Sequence, residues 1–311
     1  MHSIETPTFL LGLRSAVLGF TAAGLFYVWL PSISNAQRAG DSAPRPSIME
    51  KIDAEEGAKR IASFRAQRLS GDFCFKFQLE HKPKNSSQTF RYNGVMFGSW
   101  NERGPVNRFQ LYPERVKRGK LVEVPPIELI VQNGVSPEVW IRHCAAEPFV
   151  RIEDEALFKP IFDGVIYTPF DLQMPFIYWN DYTYEGPANV LSRIGQLFLM
   201  KPPEGSLSAR HGISGVQIAL DDMYYGLLGV EVFGVDGEPR SDFTLRSFQK
   251  VQGQYIVKEI VLSEVDGGKV QSSTGFKVKR ASVGLIFDAA VFDPECNTDV
   301  PEISAALFHV L

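Results

Sequence analysis

The chain has 311 residues, 44% apolar and 22% charged, with a formal charge of −4. That is an ordinary globular balance, which excludes disorder as the default and leaves room for one large domain or two small ones. A net negative chain without a basic stripe gives no electrostatic reason to expect nucleic acid as a partner.

The first signal along the chain is a targeting one. Arg14 precedes an apolar run from Ala16 to Leu30, followed by Pro31 and then Ser34-Asn35-Ala36. A charged start, roughly fifteen apolar residues and a small-x-small site form the secretory pattern, so residues 1–36 are expected to be a cleavable signal peptide. The run is short of the about 20 residues that span a bilayer, and retention as an inner-membrane anchor is the alternative. Residues 37–47 are rich in Pro, Ser and Gly and read as a linker. A single exported domain is expected over 48–311.

That domain opens with an amphipathic pattern from Ile48 to Leu69, whose apolar residues fall mostly on one helical face before Ser70-Gly71 ends it. From Asp72 the period becomes two: Phe73, Phe75, Phe77 and Leu79 alternate with polar neighbours, as on a half-buried strand. Strand patterns recur at Val216–Leu220, Tyr255–Leu262, Phe276–Val278 and Val283–Leu285. Turns are expected at Asn93-Gly94, Asn133-Gly134, Asp236-Gly237, Gln252-Gly253 and Asp266-Gly267-Gly268. Helical turns are expected near Ile152–Phe162 and Ala188–Ile194. The sum is a mainly β (α+β) domain, one antiparallel meander curled into a barrel or sandwich behind an N-terminal helix.

Motifs for chemistry are sparse. The histidines show no i,i+4 pairing, so no metal site is expected, and no cofactor motif appears. Gly212-Ile213-Ser214-Gly215 lacks the G-x-S-x-G spacing. Cys74, Cys144 and Cys296 stand too far apart for a C-x-x-C pair, and the sequence does not say whether two of them form a disulfide. Asn85-Ser86-Ser87 matches a glycosylation acceptor. The chain therefore reads as non-enzymatic. A carbohydrate-active enzyme, which would need paired carboxylates on a sugar-binding surface, ranks behind binding functions.

The stretch beginning at Phe170, FDLQMPFIYWNDYTYEGP, is dense in aromatics and fits neither a helical nor a strand period. Phe75, Phe77, Phe109 and Trp140, with Phe73 and Phe198, are candidates for an inner ligand-binding face. Phe176 belongs to the aromatic stretch. Tyr178, Trp179, Tyr182 and Tyr184 suit a rim, since each has an apolar body and a polar tip.

Met174–Trp179, Tyr184–Pro187, Arg193, Gln196–Pro203, Val216–Asp222, Gly229–Val232, Phe248–Ile260 and Ala281–Phe292 together resemble the outer-membrane lipoprotein-sorting, LolA-like family. The resemblance covers roughly residues 48–295. It implies a half-closed antiparallel β-barrel with short helices plugging an apolar concavity. It also implies a carrier in the periplasm of a Gram-negative bacterium for lipid or acylated lipoprotein, served by a membrane-bound donor or acceptor protein. Members of this family use an arginine that bonds to the lid in the closed state. Arg91, Arg108 and Arg193 are candidates, and no local motif chooses among them. The competing reading is a structural or protein-interaction module on the same fold. A continuous apolar pocket of several hundred Å³ under the aromatic stretch would favour the carrier, and a self-filled interior the module.

Overall fold

A computed structural model describes residues 49–311 except 85–88, 118–119, 123–125 and 163, and only the backbone of 115–117 and 120–122. The expected signal peptide, the linker and the Asn85 acceptor lie outside the described residues.

The N-terminal helix α1 (Ala54–Ala66) is shorter than the amphipathic pattern. Asp53 caps its start by accepting the Glu56 amide at 2.8 Å, Glu55 and Glu56 occupy the first turn, and Arg65 sits in the last. These charges suit the helix dipole, and the cap satisfies one of the free N–H groups. Gly57, Arg60, Ile61 and Phe64 form its buried face.

Strands β1 (Asp72–Pro83), β2 (Phe90–Asn101) and β3 (Gly104–Pro113) follow, then the small ribbon β4 (Arg115–Lys117) and β5 (Lys120–Val122). β6 (Ile127–Gln132), β7 (Glu138–Arg142) and β8 (Val150–Ile152) complete a first meander. A crossing segment contains a 3-10 turn at Asp154–Phe158, α2 (Pro169–Gln173) and a second 3-10 turn at Pro175–Tyr178. The second meander begins with β9 (Tyr182–Val190) and β10 (Arg193–Met200), then α3 (Leu207–Arg210) and β11 (Ile213–Asp221). It continues through β12 (Leu227–Gly234), β13 (Pro239–Val251), β14 (Gln254–Asp266) and β15 (Lys269–Leu285). A tail ends in β16 (His309–Val310).

Pairing of β1 with β15 joins the two meanders into one antiparallel sheet of 14 strands, in the order β8-β7-β6-β3-β2-β1-β15-β14-β13-β12-β11-β10-β9, with β16 on β15. β8 and β9 are the two free edges, so the sheet does not close. Because side chains alternate across a strand, β1 sends Phe73, Phe75, Phe77 and Leu79 to the concave face and Cys74 to the convex one. Burial pushes the Cys74 thiol up to about 12, and all three cysteines are free.

Two sequence signals resolve differently here. Asn93-Gly94 is no turn but lies within β2. Gly94 pairs with Phe77 and Gly98 with Phe73, and a Cβ would meet those rings at 2.3 and 2.0 Å. These glycines give the facing aromatics room to lie flat on the sheet. Residues 188–194 are a hairpin rather than a helical turn, because Leu191 and Ser192 take φ of 49° and 64°, the twist that a two-residue hairpin requires. The turns at Asp236-Gly237, Gln252-Gly253 and Asp266–Gly268 are hairpins as expected.

The convex face carries a smaller core of Cys74, Phe97, Val106 and Ile130, covered by Val291 and Phe292 of the tail. Under it Glu128 accepts from Arg108 (Nη2 at 2.7 Å) and from Arg142 (Nη2 at 2.8 Å), all three being 3% exposed or less. Arg108 Nη1 also donates to the carbonyls of Val291 and Thr298, and Arg142 Nη1 to Asn297 Oδ1, so the cluster fastens the tail to the sheet.

Candidate functional site

Sheet residues and the crossing segment meet on the concave face. Phe75, Phe77 and Phe109 are buried there, and the segment from Val165 to Trp179 packs onto them as a plug. Phe176 and Trp179 are buried in the plug and meet edge-on at 6.3 Å, while Tyr178 is half-buried. Tyr182 and Tyr184 belong to edge strand β9 rather than to an irregular rim, and both pack on Phe198, at 6.0 and 5.4 Å. Tyr184 also donates to Gln196 Oε1 and accepts the Ile52 amide, which ties down the chain entering α1.

Trp140 is elsewhere. It pairs with Ile130 across β6 and β7 and packs in the convex cluster. The register explains the misplacement, since Val139 and Ile141, one residue to either side, are the ones that face the concavity.

The plug is held by its own rings and a short set of polar anchors. α2 starts on a capping box: Thr168 N and Oγ1 donate to Asp171 Oδ2 at 2.8 and 2.6 Å, and Asp171 N donates to Thr168 Oγ1. Asn133 Nδ2 donates to the carbonyls of Leu172 and Gln173, closing the other end of the turn. Met174, buried and with φ of 42°, reverses the chain between α2 and the next 3-10 turn. A bulky residue in the left-handed region costs roughly 1–2 kcal/mol, strain that the surrounding contacts offset. Arg65 at the end of α1 reaches over with Nε to Ile177 O (2.7 Å) and Nη2 to Trp179 O (2.9 Å).

Arg65 was not among the arginines that sequence reasoning singled out. Arg108 is locked in the convex cluster, Arg91 faces Glu80 in solvent, and Arg193 pairs with Asp221. The signal lay in position alone: Arg65 follows the buried Phe64 by one residue, at the helix end nearest the plug.

The plug leaves little empty space. Between Phe77, Phe109 and Leu129 of the sheet and Phe162, Tyr167 and Leu172 remains an apolar cavity of about 30 Å³, roughly the share of one water in the liquid. Over Phe77, Phe109 and Leu129 the plug fills the concavity with its own side chains.

Asp171 is expected to give the plug a pH dependence. Burial pushes its carboxyl up to about 6, against hydrogen bonds from Thr168 that favour the ionised form, with the Glu264 charge adding to the rise. A carboxyl raised in the closed state favours closure fully below its ordinary value near 4, and that contribution is lost as pH rises through 6. Protection of the α2 amides against hydrogen exchange, corrected for intrinsic rates, is therefore expected to be higher at pH 5 than at pH 7.5. In Asp171→Asn the difference should vanish. A pH-independent wild type would exclude the effect.

Among the described residues no group of three or more His, Cys, Asp or Glu is placed to hold a metal, and no helix is long and apolar enough to cross a membrane.

Neither a family model nor a curated protein sequence matches the chain. Solved structures do. A DUF1329 family protein from Desulfovibrio piger superposes with a TM-score of 0.60 at 13% identity, over 76% of this chain and 95% of its own. A domain assigned to the outer membrane lipoprotein-sorting proteins, from Vibrio parahaemolyticus, gives 0.60 at 14% identity, over 77% and 95%. A LolA superfamily protein from Nitrosomonas europaea gives 0.51 at 10% identity, over 78% and 98%. The chain has the fold of the DUF1329 and outer membrane lipoprotein-sorting (LolA superfamily) proteins.

Proposed function

We propose that the protein is a non-enzymatic, exported carrier that shields acyl chains of lipids or lipid-modified proteins by letting them take the place of the plug. One observation carries this reading: a wide apolar concave face is covered by a segment that belongs to no sheet and is fastened by a few polar anchors. Each acyl CH₂ taken from water is worth about 0.8 kcal/mol, so a dozen represent on the order of 10 kcal/mol that a carrier must shelter in an aqueous compartment. Opening exposes Phe75, Phe77, Phe109 and Phe176, and a bound chain would cover them again. Exchange between plug and cargo supplies both a tight and a releasing state. The secretory pattern of residues 1–36 supports a periplasmic site of action for such a carrier.

A second reading is favoured by the 30 Å³ cavity: a self-filled interaction module whose plug never leaves. Lipid extraction separates the two. Protein purified without detergent is expected to yield lipid in an organic extract, detected by mass spectrometry, and to take up a fluorescent fatty acid. No lipid together with no uptake would overturn the carrier in favour of the module.

A further inference from the structure

The plug does not cover the concavity evenly. Beside α2, between the plug and strands β11 to β14, a second cavity of about 210 Å³ remains, several times larger than the one beneath the plug. Phe158, Ile166 and Phe170 of the crossing segment face Ile213, Val232 and Leu262 of the sheet across it, and its polar residues are Arg240, Asp171, Glu264, His211, Thr168 and two serines.

The charged groups differ in how far they are already engaged. His211 is stacked on Phe158 at 3.9 Å with Nδ1 3.2 Å from Glu155, so it is occupied. Arg240 is exposed and unpaired. Its guanidinium lies against Gly234 and Gly212, where a Cβ at 234 would come within 2.2 Å of Nε. Among the described residues no hydrogen bond or ion pair engages it. Asp171 takes both Thr168 hydrogen bonds on Oδ2, which leaves Oδ1 without one among the described residues. Glu264 is bonded to Ser272 and lies near enough for its charge to act on Asp171. An apolar floor thus meets one exposed cation with no protein partner among the described residues and two carboxylates at the same opening. A purely anionic head would face Asp171 and Glu264, and a purely cationic one would face Arg240.

We infer that this cavity is the headgroup seat for a zwitterionic amphiphile, with its phosphate on Arg240, its ammonium toward Asp171 and Glu264, and the start of its acyl chain on Phe158, Phe170 and Leu262. The inference rests on the carrier reading and names the class of its ligand. A cargo held this way enters beside the plug and spreads under it as the plug lifts.

Calorimetric titration of the purified protein with three single-chain probes below their micelle concentrations tests it: lysophosphatidylethanolamine, lysophosphatidylglycerol and dodecyl maltoside. The zwitterionic probe is expected to bind about tenfold more tightly than the other two, the scale of one charge-assisted contact at a partly wet site. Arg240→Gln should remove that advantage and leave maltoside binding unchanged, and Glu264→Gln should reduce it. Unfolding curves matching the wild type would verify that both variants fold. Equal binding of all three probes, or a preference for phosphatidylglycerol, would overturn the headgroup assignment while leaving the carrier intact. Absence of binding by any probe would overturn the carrier reading and the seat together.

Discussion

Glu128→Ala is expected to be the most destabilising single change in the molecule, by about 3–5 kcal/mol, because it leaves two guanidinium groups buried without a counter-charge. Arg108 and Arg142 are 1% and 3% exposed, and both lie over the Phe149 ring, with Cζ 5.5 and 4.6 Å from its centroid. With Glu128 between them the pair is tolerable. Without it, the remaining acceptors are the carbonyls of Val291 and Thr298 and the Asn297 side chain, all on the C-terminal tail. The loss should therefore appear first as release of residues 291–298 and then as a lower urea midpoint with cooperative unfolding retained. Among the described residues Arg142 Nε has no acceptor even in the intact cluster, so the network is not optimised for stability. Replacing Arg108, Glu128 and Arg142 together by apolar residues of similar volume is accordingly expected to recover most of the loss. A Glu128→Ala protein within about 1 kcal/mol of wild type, the scale of an exposed ion pair, would show that water reaches the cluster.

The alternation in β1 was legible because Phe73, Phe75, Phe77 and Leu79 repeat with the period of a pleated strand and one face is buried. Hairpins built on Asp-Gly and Gln-Gly were legible for the same local reason, a glycine where φ must be positive. The hairpin at Leu191-Ser192 was not, because the left-handed residues there carry side chains that tertiary pairing alone holds in place. Gly94 misled for the converse reason: its lack of a Cβ serves a ring on the next strand, and the sequence next to it carries no trace of that partner. The aromatic stretch divided. Phe170 to Trp179 fill the concavity, whereas Tyr182 and Tyr184 form the start of an edge strand, so the irregularity came from reading two elements as one. Which aromatics share a face depends on register, which alternation alone does not supply: Phe109 packs on the concave side and Trp140 on the convex one. The polar anchors were invisible, since Arg65 and Asn133 act on backbone carbonyls over a hundred and about forty residues away.

Arg65→Met is expected to loosen the plug without unfolding the sheet. The substitution keeps an unbranched apolar stem and removes two hydrogen bonds from a charged donor to Ile177 O and Trp179 O. Such bonds contribute about 1.5–3 kcal/mol each where they are dry, less where water replaces them. Arg65 is half-buried, so a net shift of roughly 2 kcal/mol in the closing equilibrium, or about thirtyfold, is a reasonable scale. The amides of Ile177 and Trp179, bonded within the plug to Met174 and Phe176, should exchange faster by that factor. Those of β1 and β15 should keep their wild-type protection. Binding then separates gate from scaffold. If acyl ligand and plug compete for one face, the apparent affinity is the intrinsic affinity reduced by the open fraction, so a larger open fraction tightens binding by the same factor that speeds exchange. A merely structural arginine would instead weaken binding or leave it unchanged as stability fell. Faster exchange in the plug with weaker uptake of a fluorescent fatty acid would thus refute the competition and leave Arg65 as an ordinary tie between α1 and its neighbour. Faster exchange with tighter uptake would make α1 and the plug a single gate, coupled through one side chain.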